Sequence, residues 1–284
     1  MKWITVSRKM GTHGSDIAKW VANDLGYRFY DTEAISQMAQ ELGVLESVRE
    51  IDAKAPSLFH RIFSQRPIVY LERLYSVLYE LAKQGDAVFL GRGSHLLLRD
   101  FPCALHVWVT ASPETRIRTL LNQGWTREAA AHALKRSDDE RTALVKFAFG
   151  VDWEDPTRYD LVLNMDKLTV PVAVSTVLHV VRSPVLSDAS ADALRTLGML
   201  ALARRAEAAL MEATGAQRFV SSLSVSVVAP GTVRVSGDVD TADRKAKTET
   251  ILRSVKGVDS IENAIRVVHL PLGASRPRGN AGPT

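Results

Sequence analysis

At 284 residues with 46% hydrophobic side chains, the chain is long enough for one large and one small globular domain, and its formal charge of +4 suits an anionic ligand without demanding one. Cys103 is the only cysteine, which excludes an intramolecular disulfide, a Cys-rich zinc site and a paired-thiol redox motif. No run of about 18 apolar residues appears, and Met1-Lys2 leads into a short strand and a glycine turn instead of a signal-peptide pattern, so a cytoplasmic protein is expected.

The first predicted strand is Trp3 to Ser7, and helical spacing starts at Ser15 and runs to Leu25. Between them, Arg8-Lys9-Met10-Gly11-Thr12-His13-Gly14 turns on two glycines. A strand that feeds a helix through such a turn has the geometry of a phosphate loop, where backbone N–H groups and the positive end of a helix face an anion. The plain alternative is a strand-to-helix corner. The P-loop pattern G-x-x-x-x-G-K-S/T would place its lysine at Gly14, next to Ser15, so the usual phosphate-binding cation is missing. Arg8 and Lys9 are the nearest cations able to fold back over phosphates, whereas His13 is largely neutral at physiological pH.

A second strand is predicted over Tyr27 to Tyr30 and a helix over Thr32 to Glu41, with Asp31 or Thr32 as its N-cap. Leu71 to Gln84 has helical spacing, and Ala87 to Gly91 is a buried strand that ends in Arg92-Gly93-Ser94. An arginine between two glycines at a strand end is badly placed to be merely solvated, and its fork-shaped guanidinium suits phosphate oxygens. Leu105 to Thr110 is the next strand, after which Ser112 caps a helix with Pro113 at its first position. Lys135 to Arg141 is a charged helical stretch whose Arg136 and Glu140 have the spacing of a surface ion pair. Tyr159 to Asn164 is the last strand of this half. Continuous apolar strands separated by helices indicate a doubly wound α/β fold, a parallel sheet covered on both faces that binds ligands at the carboxyl ends of its strands.

The pattern changes after Ser183-Pro184. A helix over Ala191 to Ala213 is followed by alternating strands at 224–228 and 232–237 around a Pro230-Gly231 turn, a helix over Ala242 to Val255, and a strand near Ile261 to Val268. The expected division is therefore a 1–182 α/β domain, a 190–270 α+β module and a 271–284 tail whose Pro, Gly, Asn and Arg content reads as disorder.

Several segments resemble the cytidylate kinase-like family, a branch of the nucleoside monophosphate kinases. Ser7, Arg8, Gly11 and Gly14 fit its S-R-x-x-G-S-G-G loop, with His13 where a glycine is usual. Tyr30-Asp31-Thr32 stands at its D-T-G or D-S-G segment, and Gly91-Arg92-Gly93 with Phe101-Pro102 at its G-R-D and F-P segments. Thr110 to Arg116 is close to T-A-S-x-E-x-R, the stretch at Lys135 to Arg141 is similar to its arginine- and aspartate-rich lid, and Tyr159 to Asp166 resembles its closing Y-D-L-V-I-N-T-D strand. Asp139 and Ala143 depart from the lid pattern where further arginines are usual.

The resemblance implies a P-loop kinase-like fold and phosphoryl transfer from ATP, with Mg²⁺, to a (deoxy)cytidylate-like nucleotide. It implies that Gly11, Thr12, His13, Gly14 and Ser15, with Arg8 or Lys9, hold the donor phosphates, and that the Ser15 hydroxyl meets Mg²⁺. Asp31 and Arg92 would hold the acceptor, and Arg136, Arg141 and Lys146 would close over the transfer. Val233 to Val239 and Gly257 to Asn263 resemble the BON domain, a binding module for phospholipid or other macromolecules, whose open sheet edge would also permit a homo-oligomer. The alternative is a catalytically degenerate nucleotide-binding scaffold that acts through the BON-like half.

Overall fold

The computed structural model describes residues 1–42, 66–214 and 223–268. Its larger sheet has the order β2-β3-β1-β4-β5, built from β1 (Trp3–Arg8), β2 (Arg28–Tyr30), β3 (Ala87–Leu90), β4 (Ala104–Thr110) and β5 (Leu161–Asn164). Every pairing is parallel: Trp3 of β1 aligns with Ala87 of β3 on one side and with Ala104 of β4 on the other. β1 is thus central, and the chain leaving its end enters the middle of the sheet's carboxyl edge, where doubly wound folds bind ligands.

Helices α1 (Gly14–Leu25), α2 (Thr32–Glu41), α3 (Arg66–Ala82), α4 (Ser94–Leu97), α5 (Pro113–Asn122), α6 (Arg127–Phe149) and α7 (Val170–Arg182) connect and cover the strands. The two faces follow strand periodicity. Trp3 and Phe89 pack with Leu74 and Leu78 of α3 and Ile35 of α2, whereas Ile4, Val6 and Val88 pack with Ile17 and Val21 of α1 and Val174 and Val177 of α7. Several boundaries shift from expectation, such as the helix expected over Leu71 to Gln84 that spans Arg66–Ala82, and two of the shifts have evident local reasons. Tyr159 ends a short 3₁₀ turn (Pro156–Arg158) whose Asp155 cap receives the Thr157 amide, so β5 starts two residues later. Tyr27 is spent on a hydrogen bond from its amide to the Ala22 carbonyl at the end of α1, which delays β2 to Arg28.

The C-terminal part contains α8 (Ala191–Thr214), β6 (Leu223–Ala229), β7 (Thr232–Val239), α9 (Ala242–Arg253) and β8 (Ser260–Val267). β6 and β7 form an antiparallel hairpin, and β8 joins β7 in parallel. Helix α8 has two apolar faces. Leu197 and Ala201 join the core around α3, while Leu202, Ala206 and Leu210 pack under β7, α9 and β8 with Val233, Val235, Leu252 and Ile265. Arg204–Glu72 (3.0 Å) and Arg205–Glu80 (2.8 Å) tie α8 to α3, and Arg73 also pairs with Glu212. The change of pattern read at Ser183-Pro184 therefore precedes a helix shared by both cores. The predicted tail at 271–284 lies outside the described residues.

Candidate functional site

The loop Lys9–His13 joins β1 to α1. The Thr12 hydroxyl donates to the Lys9 carbonyl (2.7 Å) and closes the turn, with Gly11 at φ 79°. His13 is left-handed at φ 58° and caps α1 without a side-chain hydrogen bond to the backbone. Its imidazole instead lies 3.0 Å from Asp16. The amides of Gly14, Ser15 and Asp16, in the first turn, have no intrahelical acceptor and no capping side chain, and they carry the positive end of the helix dipole. Ser15 is exposed in that turn.

Beside this turn, a cavity of about 430 Å³ is lined by Arg8, Arg92 and Arg141 together with Ser7, Thr32 and Trp153. Arg8 leaves the end of β1. Burial, followed by the charges of Arg141 and Arg92, lowers its pKa to about 10. Burial also lowers that of Arg141, with Arg116 adding to the effect and Asp138 opposing it. Arg92 is left-handed at φ 59° between two glycines that are also left-handed, and its guanidinium donates to the Thr32 hydroxyl at 3.2 Å. A non-glycine residue in that conformation is strained, and such strain gathers at binding sites. Gly91 is left-handed at φ 75°, and a Cβ there would lie 2.5 Å from Arg8 Nη1, so a side chain at 91 would push the end of the guanidinium aside. Three cations are thus brought together at the cost of mutual repulsion against one carboxylate of the same lining, Glu140, an excess of positive charge that a multiply charged anion would offset.

The other predicted residues are placed differently. Lys9 pairs with Glu154 (2.7 Å) and lies 5.9 Å from the Trp108 ring centroid, outside the cavity lining. Arg136 is on the outer side of α6, 63% exposed, and pairs with Glu140 at 2.7 Å. Arg136 and Arg141 are therefore separated, and only Arg141 reaches the cavity. Asp31 caps α2 by accepting from the Glu33 and Ala34 amides at 3.0 and 3.1 Å, while its neighbour Thr32 faces the cavity. Among the described residues no group of three His, Cys, Asp or Glu side chains is arranged to hold a metal ion.

Two residues with no assigned role stand out. Arg116 is 3% exposed, donates from Nε to the Met10 carbonyl (2.7 Å) and forms a bidentate pair with Asp138 (2.7 and 2.9 Å), which fastens α6 to the loop. Its arginine in T-A-S-x-E-x-R was visible, but nothing local showed which carboxylate it meets. His95 lines the cavity, stacks on Tyr159 at 4.8 Å and lies 3.2 Å from the Ser7 hydroxyl. Burial, with His106 and Arg158, lowers its pKa to about 3 and keeps it neutral.

The family model described as the cytidylate kinase-like family matches residues 3–167, more than half of the chain, and that of the BON domain matches residues 203–269. No curated protein sequence matches. Among solved structures, an uncharacterized protein from Eubacterium ventriosum aligns with 18% identity and a TM-score of 0.51, over 64% of this chain and 99% of that one. A shikimate kinase from Bacteroides thetaiotaomicron aligns with 13% identity and a TM-score of 0.40, over 64% and 99%. A deoxyadenosine kinase from M. mycoides aligns with 12% identity and a TM-score of 0.39, over 64% and 100%. The five-stranded parallel sheet lies within the first match and the mixed three-stranded sheet within the second. The chain belongs to the cytidylate kinase-like family and carries a BON domain at its C-terminal side.

Proposed function

We propose that this protein is an ATP-dependent nucleotide kinase that phosphorylates a (deoxy)cytidylate-like nucleoside monophosphate. The observation that carries this reading is the convergence of Arg8, Arg92 and Arg141 on one cavity beside the uncapped start of α1. In the reaction an acceptor phosphate oxygen bonds to the γ-phosphorus while the bond from that phosphorus to the β–γ bridging oxygen breaks, and ADP leaves with the electron pair. Such transfer needs positioning and neutralisation of charge on the moving phosphoryl group more than covalent chemistry by the protein. Gly14, Ser15 and Asp16 amides face the donor phosphates, Arg92 with Thr32 holds the acceptor, and Arg141 comes from α6 as the lid-side cation. Mg²⁺ arriving with the nucleotide would supply charge neutralisation at its phosphates, and the exposed Ser15 hydroxyl would be the side chain to hold it. In this reading the BON domain binds phospholipid or another macromolecule and addresses the kinase to it.

The test is a coupled ATP assay with Mg²⁺ against CMP, dCMP, UMP and AMP, with calorimetric titration of ATP in parallel. Turnover on a cytidylate that Arg92→Ala abolishes supports the reading. ATP binding without turnover on any acceptor overturns it in favour of a regulatory scaffold, and neither binding nor turnover overturns it altogether and directs the search to the BON domain.

A further inference from the structure

The P-loop position usually held by lysine is Gly14, and the structure shows what fills the space above it. Gly14 is buried, and a Cβ built on it would lie 2.5 Å from Arg8 Cβ, 3.0 Å from Arg8 Cγ and 3.2 Å from Val109 Cβ. The aliphatic stem of Arg8 thus crosses the site from which a lysine would rise, and a side chain at 14 and this conformer of Arg8 exclude each other. The stem carries the guanidinium on to Gly91, where Nη1 stands against the glycine, in the cavity shared with Arg92 and Arg141. Among the described residues the Arg8 guanidinium has no carboxylate partner and no hydrogen bond, unlike Lys9, whose ammonium is committed to Glu154. Gly14 is not left-handed, so its glycine identity answers to this close approach and not to backbone conformation.

We propose that Arg8 is the phosphate-binding cation of this loop, supplied from the end of β1 in place of the lysine of a standard P-loop, and that it spans the donor and acceptor phosphates. The proposal rests on the kinase reading above. It accounts for two departures together: the lysine is missing because an arginine six residues earlier has taken its space, and that position must then be glycine. A guanidinium also offers a fork of donors where a lysine offers a point charge, which suits a cation that touches phosphates on both sides of the transfer.

The decisive experiment is a reciprocal exchange in the full-length protein. Arg8→Met keeps most of the stem and removes the charge, and it is expected to lower kcat by about 10²–10³-fold, the loss typical of deleting one donor at developing charge. Gly14→Lys alone is expected to be equally poor, because the new side chain meets the Arg8 stem. The double variant Arg8→Ala with Gly14→Lys frees that space and restores a lysine, and it is expected to recover at least tenfold over Arg8→Met. Wild-type activity in Arg8→Met overturns the proposal while leaving the kinase reading intact. So does a double variant that melts like wild type and binds Mg²⁺–ATP no better than Arg8→Met in calorimetry. If the unaltered protein neither binds ATP nor turns over, the kinase reading itself fails and the proposal falls with it.

Discussion

Replacing Asp138 by alanine tests how α6 is held to the loop between β1 and α1. Arg116 is almost wholly buried, its side chain 4% exposed, and Asp138 is 23% exposed, so the pair sits where solvent screens little of the charge. The variant leaves the Arg116 guanidinium with the Met10 carbonyl and loses both hydrogen bonds to the carboxylate. Breaking a buried pair by removing one partner costs about 3–5 kcal/mol, and the partial exposure of Asp138 places this case near the lower end. At about 2–4 °C per kcal/mol for a domain of this size, the expected fall in melting temperature is about 6–12 °C. The double variant Arg116→Met with Asp138→Leu removes both charges and is expected to regain most of that stability, since a buried pair exchanged for apolar groups is often neutral. It should not regain ATP affinity, because α6 and Met10 are no longer tied through a charged bidentate contact. The assay is thermal unfolding followed by circular dichroism, with calorimetric ATP titration on the same samples. A melting temperature for Asp138→Ala within about 1 °C of wild type would refute the reasoning, since it would mean that the buried guanidinium needs no partner.

Other consequences concern charges in different surroundings. Burial, helped by the charge and hydrogen bond of Glu207, raises the pKa of Glu72 from 4.5 to about 7 even though Arg204 opposes the shift. The folded state thus holds a proton that the unfolded chain has lost between these pH values, so this group makes stability fall as pH rises from about 4.5 to 7 and level off above. Denaturant unfolding at pH 5, 6, 7 and 8 should show that fall in wild type and a flatter profile in Glu72→Gln; parallel profiles would remove Glu72 as the cause. Lys9→Met and Arg136→Gln are both expected to change kcat less than about threefold, since neither cation lines the cavity, each is engaged with a carboxylate, and an exposed i,i+4 pair such as Arg136–Glu140 is worth only about 0.3–0.5 kcal/mol. A tenfold loss in either steady-state assay would show that the cation swings into the site during the reaction.

The strands and the character of both halves were legible because their signals are local. Apolar runs such as Ala87–Leu90, buried on both faces, alternate with helices, and Ser112-Pro113 announces a helix start through capping chemistry that involves only the next three residues. The site was legible in part for the same reason. Gly91-Arg92-Gly93 declares an unusual backbone, and the structure finds all three residues left-handed with Arg92 in the cavity. Asp31 was correctly readable as a helix cap, a contact made with residues 33 and 34. The lid was harder. Arg136 and Arg141 share one charged segment, yet five residues along a helix turn a side chain by more than a quarter of the circumference, and only packing on the loop reveals which one faces inward.

By itself the sequence determined the parallel sheet, the glycine turn without its lysine and the change to an α+β module, since each depends on periodicity, turn chemistry or residue type within a short window. Only the tertiary structure decided which of two adjacent cations enters the cavity. Arg8 and Lys9 are neighbours with equal charge, and successive residues at a strand end point to opposite sides of the sheet, so one enters the cavity with Arg92 and Arg141 and the other meets Glu154. The same holds for Arg116 with Asp138 and for the two apolar faces of α8, because partners distant in the chain are set by how the elements pack.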